Sequence, residues 1–414
     1  MIPSAPKGTD DVLPPESERW RRLLRTFDEM AEQFGYGMVM TPLFEATELF
    51  SRGVGEATEV VEKQMYTFRD KAGRSLTLRP EGTAPICRAY VENGLHREPQ
   101  PQKLFTIGTM YRYGTPGRGR YREHWQASVE AIGSDDPLID AELIQLYDTL
   151  LHRLGVTRYH LELNSIGCRE CRPAYLERLR AWLAANRDRL DAETQKKADT
   201  TLLRVFDNYQ AKPEATRAAL DEAPKIGDSL CEECESRFAA VRADLDAVGV
   251  SYTLVPTLVR GLDYYSRTAW EFVGPLESEN ATISGGGRYD YLVEEIGGPP
   301  TPGVGFGAGI ERLLIALEEE GAAEAESPSL DVFFALEPGA PREAVTRWLA
   351  ELRAAGAACD TDYAGRSLKG QLTQGARLGA SAIVVVGPES ATIRRAGSTD
   401  EVVGHDGLSG RLLP

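Results

Sequence analysis

Glycines alternate with other residues in one short stretch of the sequence, GVGFGAGIERLL (303–314). Successive side chains of a β-strand point to opposite faces, so a strand here has one face without side chains. A bare face weakens a strand, and its natural use is to lie against a planar group. The stretch matches neither a P-loop nor a dinucleotide-binding fingerprint. We predict that a purine lies over Gly305 and Gly307, with its phosphates near Arg312 in the first turn of the following helix.

Two other segments, 104–112 and 124–132, alternate in polarity and predict antiparallel strands joined by a long basic loop. Arg112 ends the first strand. Because a guanidinium group binds phosphate bidentately and keeps its charge, Arg112 is expected to contact a phosphate or a nucleic acid; a solvated loop arginine is the alternative. The polar face of the second strand consists of His124, Gln126, Ser128 and Glu130. This face predicts a cavity that holds an ammonium group or a ring nitrogen, unless it is an open, solvated sheet face.

Two glycine-containing segments also carry candidate ligand-binding residues. RPEGTAP (79–85) presents Glu81 and Thr83 in a turn. SGGGRYDYL (284–292) has three consecutive glycines before a predicted helix, and such a run either lets the backbone approach a ligand closely or forms a flexible turn.

The stretch LVRGLDYYSRTAWEF (258–272) predicts a strand that begins at Thr268. Its entrance carries a polar cluster of Arg260, Asp263, Tyr264 and Tyr265. Because charged residues are mostly exposed, a surface hairpin is the simpler interpretation, and a substrate-facing cluster is the alternative.

Four of the six cysteines form two CxxC pairs, Cys168 with Cys171 and Cys231 with Cys234. Thiolates at this spacing suit tetrahedral Zn²⁺, which would stabilise a small helical segment. Partly buried free thiols are the alternative.

The length of 414 residues predicts two or three domains. Residues 168–250 are helical by composition and interrupt the predicted strands as an insertion would. The acidic segment 318–329 is the best linker candidate. Beyond it, residues 330–414 alternate predicted strands and helices, which indicates a compact α/β domain.

A net charge of −16 argues against a protein that coats nucleic acid nonspecifically. The N-terminus has no basic region followed by an apolar core, so no secretory signal is predicted. No apolar run is long enough to predict a membrane span, and the expected location is the cytoplasm.

Several of these motifs together resemble the signature motifs of class II aminoacyl-tRNA synthetases. The resemblance rests on Arg112 with its loop, on the glycine strand followed by Arg312, and on a helix–strand element that reaches Pro42. RGLDYY and SGGGRYDYL are similar to the two histidine-specific motifs of the histidyl-tRNA synthetase family, and RPEGTAP also fits that family. The resemblance implies an α+β catalytic domain on an antiparallel sheet over residues 1–320, interrupted by the helical insertion, and a C-terminal α/β anticodon-binding domain.

The resemblance further implies a histidine–tRNA ligase. Such an enzyme activates L-histidine with ATP to histidyl-adenylate and transfers the histidyl group to the 3′ end of tRNA(His). Magnesium would bridge the phosphates. The chain would act as a homodimer, with residues 16–42 contributing to the interface.

Residue roles also follow from the resemblance. Arg112 is expected on the α-phosphate and Arg312 on the terminal phosphates, while Arg260 matches the family's catalytic arginine. The histidine-binding residues implied are Glu81, Gly82, Thr83, Arg112, Gln126, Glu130, Arg260, Tyr264 and Tyr265. The ATP-binding residues implied are Arg112, His124, Gly305, Gly307 and Arg312. Arg118 and Arg120 would contact the acceptor stem.

The sequence departs from the family pattern at two positions that concern adenine. Gly114 stands where the family has a glutamate, and His124 stands where it has a phenylalanine. An imidazole can still stack on a base, so ATP remains the expected cosubstrate. The main alternative function is a noncatalytic, synthetase-like regulatory subunit of ATP phosphoribosyltransferase, a kind of protein that usually lacks the C-terminal domain and the catalytic arginines. A class II synthetase for another amino acid and an RNA-binding scaffold fit the motifs and charge less well.

Overall fold

The computed structural model describes residues 3–55, 58, 60–207, 209–276, 281–321 and 330–412. Over these residues the chain forms two compact units. The strands are β1 (Gly37–Met38), β2 (Phe44–Ala46), β3 (Thr67–Arg69), β4 (Ser75–Leu78), β5 (Gln102–Tyr111), β6 (Glu123–Ile132), β7 (His160–Ser165), β8 (Thr253–Leu254), β9 (Ser266–Val273), β10 (Thr282–Arg288), β11 (Gly303–Gly309), β12 (Val332–Leu336), β13 (Cys359–Thr361), β14 (Ala382–Val386), β15 (Ser390–Arg395) and β16 (Glu401–Gly404).

The α-helices are α1 (Glu16–Gln33), α2 (Thr47–Val54), α3 (Thr83–Glu92), α4 (Pro137–Leu154), α5 (Arg172–Ala185), α6 (Ala192–Thr200), α7 (Glu214–Glu222), α8 (Glu232–Ala247), α9 (Leu292–Glu295), α10 (Ile310–Glu319), α11 (Arg342–Ala354), α12 (Leu368–Arg377) and α13 (Leu408–Leu412). Shorter helical turns occur at Val60–Gln64, Leu95–Arg97, Arg187–Arg189, Leu202–Phe206, Tyr209–Ala211 and Ile226–Ser229. Among these residues, no helix is both long and apolar enough to span a membrane.

An eight-stranded sheet dominates the larger unit, with the order β1-β5-β6-β11-β10-β9-β7-β8. The pairs β1–β5 and β7–β8 are parallel and the remaining neighbours are antiparallel. β5 and β6 are the two strands predicted around the basic loop. β11, the glycine strand, lies in the interior of the sheet between β6 and β10.

The two faces of this sheet differ in character. On one face, Tyr147 of α4 packs edge-on against Phe272 and Phe306, with ring centroids 4.9 and 5.4 Å apart. α4 reaches this position as a well-capped helix, since Asp136 accepts the N–H of Leu138 and a left-handed Gly155 ends it. The other face carries Gly285 and Gly287 of β10, the glycines of β11 and the polar side chains of β6. The apolar face therefore anchors the sheet, and the opposite face holds the candidate site.

The glycines of 284–292 lie in a strand, so the flexible-turn interpretation of that segment is wrong. Gly285 and Gly287 pair with Gly307 and Gly305 of β11. Arg288, at the end of β10, is buried and donates to Asp140 of α4 at 2.5 Å. Its role is therefore to tie the sheet to α4.

Between β7 and β8 the chain is mainly helical and contains α5 to α8. These helices share a hydrophobic cluster of their own, which includes Leu179, Phe206 and Leu220. α10 continues through Glu319, so the first two residues of the predicted 318–329 linker are helical; residues 322–329 lie outside the described residues.

The smaller unit contains a five-stranded sheet with the order β13-β12-β14-β15-β16. β12 is parallel to both of its neighbours, whereas β14, β15 and β16 pair antiparallel. Buried residues of β12, α11 and β14, such as Phe334, Trp348 and Val384, form its core. The structure thus confirms the predicted class: an α+β unit on a largely antiparallel sheet, with a helical insertion and a C-terminal α/β unit.

Candidate active site

A buried carboxylate lies at the N-terminus of α3. Glu81 accepts the backbone N–H groups of Thr83 and Ala84, at 2.7 and 2.9 Å. Free N–H groups and the positive end of the helix dipole favour a carboxylate at this position. Burial nevertheless raises the pKa of Glu81. The RPEGTAP segment therefore holds an acid in the interior, at a fixed place above the sheet.

A second buried acid, Glu130 of β6, faces Glu81. It accepts hydrogen bonds from the Thr83 hydroxyl at 2.7 Å and from the Tyr289 hydroxyl at 2.6 Å. Burial raises the pKa of Glu130 to about 8; the two hydrogen bonds favour its ionised form, and the nearby Glu81 opposes it. Two carboxyl groups thus share a buried pocket that would be stabilised by a cationic ligand.

Three tyrosines form one wall of this pocket. The rings of Tyr264 and Tyr265 lie 4.6 Å apart, and the rings of Tyr264 and Tyr289 lie 5.9 Å apart. The hydroxyl of Tyr264 points to Glu81 at 3.5 Å. Tyr264 and Tyr265 are buried and the Arg260 side chain is 17% exposed, so the surface-hairpin interpretation is wrong for these three residues. Asp263 is the exposed member of the predicted cluster, with a side chain that is 44% exposed.

The glycines of β11 provide room for side chains of the site itself. Side chains occupy the positions where Cβ atoms would stand on Gly303, Gly305 and Gly307: in order, the Tyr289 ring, the Glu130 carboxylate and the Gln126 amide. At Gly309 a Cβ atom would only touch the Arg312 side chain, at 3.6 Å. The Gln126 amide also donates to the Ser128 hydroxyl at 2.8 Å. This arrangement corrects our prediction for Gly305, because its bare face is covered by a carboxylate and is not open to a purine.

Arg260 covers a glycine of the neighbouring strand, β10, in the same way. Its guanidinium group occupies the space above Gly285, where a Cβ atom would collide with it, and it forms an ion pair with Glu271 of β9. Burial alone would lower the pKa of Arg260, but Glu271 raises it above the ordinary value. Among the described residues its Nε has no hydrogen-bond partner. The arginine is thus fixed, charged and directed into the pocket.

Main-chain carbonyls orient the other two candidate phosphate ligands. Arg112 donates through Nε to the carbonyl of Pro80 at 2.7 Å, and Arg312 donates to the carbonyls of Gly119 and Thr282 at 2.9 and 2.6 Å. Burial and the charges of Arg112 and Arg312 lower the pKa of the neighbouring His124 to about 3, so its imidazole is neutral at physiological pH. The buried Nδ1 of His124 has no partner within the described part of the chain.

The two loop arginines flank Gly119, whose carbonyl accepts a hydrogen bond from Arg312. Arg118 is exposed and paired with Glu318 and Glu319 at the end of α10, at 3.2 and 2.6 Å. Arg120 is also exposed, and its side chain fills the space beside Gly114. Both are therefore open to a large ligand that approaches from solvent.

The four CxxC cysteines form a separate cluster, and their sulfur atoms all lie within 4.8 Å of one another. Individual Sγ–Sγ distances are 3.7 Å for Cys168 to Cys171, 3.8 Å for Cys168 to Cys231 and 3.9 Å for Cys171 to Cys234. All six cysteines lie in the described part of the chain, and none forms a disulfide.

A family model described as Histidyl-tRNA synthetase matches residues 8–313. The chain belongs to the histidyl-tRNA synthetase family. The histidine–tRNA ligase of Desulforudis audaxviator is 47% identical over 389 residues, covering 94% of this chain and 92% of that protein. The histidine–tRNA ligase of Moorella thermoacetica is 45% identical over 409 residues, covering 97% of this chain and 96% of that protein.

Solved structures agree with membership of the histidyl-tRNA synthetase family. Apo histidyl-tRNA synthetase of S. aureus matches with a TM-score of 0.83 and 34% identity, covering 100% of both chains. A protein described as an ATP phosphoribosyltransferase regulatory subunit/histidyl-tRNA synthetase, from Bacillus halodurans C, has a TM-score of 0.68 at 22% identity, over 94% of this chain and 99% of that one. At that identity the second match shows the fold alone.

Three further residues of this pocket are not among the ligand-binding residues predicted from the sequence. Tyr289 donates to Glu130, Ser128 accepts from Gln126, and Glu271 pairs with Arg260. The alternation of β6 already places Ser128 on the polar face, and Tyr289 follows the glycine run directly. For Glu271 the local signal is an acid between the large apolar residues Trp270 and Phe272.

Proposed function

We propose that this chain is a histidine–tRNA ligase that activates L-histidine with ATP and transfers the histidyl group to the 3′ end of tRNA(His). The observation that carries this function is the combination of two buried carboxyls with a fixed arginine on one face of one sheet. Glu81 and Glu130 supply the acidic half, and Arg260 supplies the cationic half. Such a site fits a substrate with a cationic head and a reacting phosphate.

Histidine would occupy the acidic half. Its ammonium group supplies the positive charge that a buried pair of carboxyls needs, and Gln126 and Thr83 add polar contacts beside Gly82. A Cβ atom at Gly82 would collide with the Ser128 hydroxyl, so glycine is required there for close packing. Tyr264 and Tyr265 would bound the imidazole ring.

ATP would occupy the half lined by Arg112, Arg260 and Arg312. Because Glu130 covers Gly305, the base would lie towards the Gly307 end of β11, where the neutral imidazole of His124 offers a stacking surface. This arrangement uses the histidine at position 124 directly and needs no carboxylate at Gly114.

The chemistry then requires positioning and charge stabilisation. The histidine carboxylate attacks the α-phosphorus, the bond to the β-phosphate oxygen breaks, and pyrophosphate leaves. Because the attacking carboxylate is already ionised, no general base is needed. Negative charge grows on the α-phosphate oxygens, where Arg260 and Arg112 would stabilise it without reorganisation. Magnesium, when bound, neutralises phosphate charge. In the second step the terminal tRNA hydroxyl attacks the activated carbonyl, and AMP leaves.

The tRNA would contact both units. Arg118 and Arg120 are exposed and suited to salt-sensitive phosphate contacts at the acceptor stem. The α/β unit of residues 330–412 would bind the anticodon, and the catalytic role would belong to residues 1–320 with their helical insertion. In this role the protein would take part in protein biosynthesis and would be located in the cytoplasm.

A homodimer is supported by exposed apolar side chains near the end of the 16–42 element. Met38, Met40, Leu43, Phe44 and Phe68 are each between 43% and 84% exposed. A concentration of large exposed hydrophobic residues marks an interaction surface. A second copy of the chain would cover it.

The cysteine cluster would hold a structural zinc ion. Four thiolates at the usual Zn–S distance stand roughly 3.8 Å apart in a tetrahedron. The sulfur separations of 3.7–3.9 Å match this geometry and are far too long for a disulfide. The ion would join the start of α5 to the start of α8.

The proposed function is tested by ATP–pyrophosphate exchange with each of the twenty amino acids. Exchange that depends on histidine alone is the expected result. Exchange with a different amino acid would indicate another class II synthetase. No exchange with any amino acid would favour a noncatalytic regulatory subunit.

A further inference from the structure

The segment that carries Arg260 is held from outside the catalytic sheet. Residues 258–265, here called the entrance segment, have neither helical nor strand structure. Arg260 lies near one end of this segment, and Tyr264 and Tyr265 lie at the other. A segment without regular structure holds side chains precisely only if other contacts fix its backbone.

The helical insertion supplies such contacts through Arg204. This arginine lies in the helical turn Leu202–Phe206, whose Val205 and Phe206 side chains are buried in the core of the insertion. Arg204 donates through Nε and Nη2 to Oδ1 of Asp263, at 3.2 and 3.1 Å, and through Nη2 to the carbonyl of Gly261 at 2.6 Å. Its side chain is only 10% exposed.

Asp263 is itself confined on its other side. Its N–H donates to the carbonyl of Val54 at 3.2 Å, and its Oδ2 lies 2.6 Å from the position that a Cβ atom on Gly55 would occupy. Gly55 has a φ of 100°, which favours glycine, and this lets the end of α2 approach the aspartate closely. Asp263 is therefore a junction between α2, the insertion and the entrance segment.

A second arginine of the insertion holds the far end of the segment. Arg172, the first residue of α5, donates to the carbonyl of Tyr265 at 2.8 Å and to the carbonyls of Ile166 and Gly167, both at 3.2 Å. The backbone from Gly261 to Tyr265 is thus fixed at both ends by guanidinium groups of the insertion.

We propose that Arg204 and Asp263 are positioning residues for amino-acid activation: through them the helical insertion keeps Arg260 and the tyrosine wall in their working geometry. This role rests on the proposed function. The carbonyl that Arg204 holds belongs to Gly261, the residue directly after Arg260, so its release frees the backbone beside the phosphate-facing guanidinium. A misplacement of about 1 Å at a reacting centre costs on the order of 100-fold in rate. Solvent screens the pair on the Asp263 side, where the side chain is 44% exposed, so the expected effect operates through geometry more than through the charge interaction itself.

The test compares Arg204→Gln and Asp263→Asn with the wild-type chain in histidine-dependent pyrophosphate exchange. Both variants are expected to lose 10- to 100-fold in kcat/KM for histidine. KM for ATP should stay within twofold, because ATP would be held mainly by Arg112 and Arg312. Arg204→Lys keeps the charge but cannot reproduce the forked contact, and it should recover only part of the loss.

Arg187→Gln is the matched control. Arg187 belongs to the same insertion and forms an exposed two-bond pair with Asp199, at 2.8 Å for both bonds. Its kinetics should match the wild type. Melting temperatures are recorded for all variants, and Asp263→Asn, whose side chain is 44% exposed in the native chain, serves as the second probe if Arg204→Gln does not fold.

Three results would overturn the role. Histidine kinetics within twofold of the wild type in both variants would exclude it, as would equal losses in Arg187→Gln. A loss that raises KM for ATP and histidine together, in proportion to a lowered melting temperature, would indicate a purely structural pair. Absence of histidine-dependent exchange in the wild type would instead refute the proposed function, and this role with it.

Discussion

The glycines of β11 allow a graded test of why this strand carries no side chains on one face. Replacing Gly305 by alanine should destabilise the fold strongly, because the new methyl group would collide with the Glu130 carboxylate. The carboxylate cannot move away without breaking a hydrogen bond, because its two oxygens accept from the hydroxyls of Thr83 and Tyr289 at 2.7 and 2.6 Å. Breaking these buried hydrogen bonds costs about 1–3 kcal/mol for each group left unsatisfied. Overpacking adds about 1–3 kcal/mol.

The expected loss in the free energy of unfolding is therefore roughly 3–9 kcal/mol for Gly305→Ala. Gly309→Ala is the matched control on the same face of the same strand. Its Cβ would lie 3.6 Å from the Arg312 side chain, an ordinary contact. The alanine gains about 0.4–1 kcal/mol from the unfolded state, offset by the preference for glycine over alanine at the N-cap of α10. Its stability should stay within about 1 kcal/mol of the wild type.

Gly307→Ala falls between these two cases. Its Cβ would lie 2.9 Å from Nε2 of Gln126, the mobile end of a flexible side chain, so the amide can move away at low cost. Movement of the amide breaks its 2.8 Å hydrogen bond to Ser128. Stability should fall by about 1 kcal/mol, while KM for histidine rises several-fold because Gln126 leaves its position. Urea unfolding gives the three free energies, and exchange kinetics give KM. A Gly305→Ala free energy within 1 kcal/mol of Gly309→Ala would refute the argument.

Four further predictions concern other parts of the molecule. Burial raises the pKa of Glu130 from 4.5 to about 8, so the free energy of unfolding should fall as the pH rises between these two values. Glu130→Gln does not titrate, so its stability relative to the wild type should be greater at pH 8 than at pH 5 in urea unfolding. Identical pH slopes for the two proteins would contradict the assignment. Arg260→Ala should slow histidyl-adenylate formation by on the order of 100-fold or more in single-turnover assays, and an unchanged rate would reject its catalytic role. Metal analysis should find one zinc per chain, lost in Cys231→Ser but kept in Cys359→Ser; no zinc in the wild-type protein would leave the thiols free. Met40→Asp should convert the dimer into monomers in light scattering, whereas a wild type that is already monomeric would exclude the dimer.

The sequence predicts the elements of the fold better than their arrangement. Strict alternation identifies β5, β6 and β11 as strands, because it follows directly from the geometry of one extended chain. It does not give their order: β11 pairs with β6, although some 170 residues separate them. The order of the strands depends on contacts between residues that are distant in sequence, such as the packing of Tyr147 of α4 against Phe306 of β11. A local sequence pattern contains no information about such contacts.

The same distinction applies to the site. The local pattern makes Glu81, Glu130 and Arg260 candidates only: Glu81 lies in a glycine-containing turn, Glu130 on the polar face of an alternating strand, and Arg260 in a polar cluster before a strand. Their individual roles follow from the family resemblance. Asp263 is not interpretable from the sequence, since its partner Arg204 lies 59 positions earlier in a helical turn. The glycine strand is predicted correctly as a bare face, but its bare positions are covered by side chains of the site. The glycine periodicity predicts which strand face lacks side chains, but it does not predict which other side chains pack against that face.

The central position of β11 also affects how the chain must be synthesised. Until this strand emerges, β6 and the hairpin of β9 and β10 each present an unpaired interior edge. At 5–20 residues per second, the delay between the end of β6 and the arrival of β11 is roughly 10–35 s. During this time the open edge of β6 is available for pairing with other chains, whereas the edge of β10 is exposed only while the last 14 residues before β11 are added. A nascent chain of this sequence therefore passes through an interval in which its sheet is incomplete and an interior edge is unpaired.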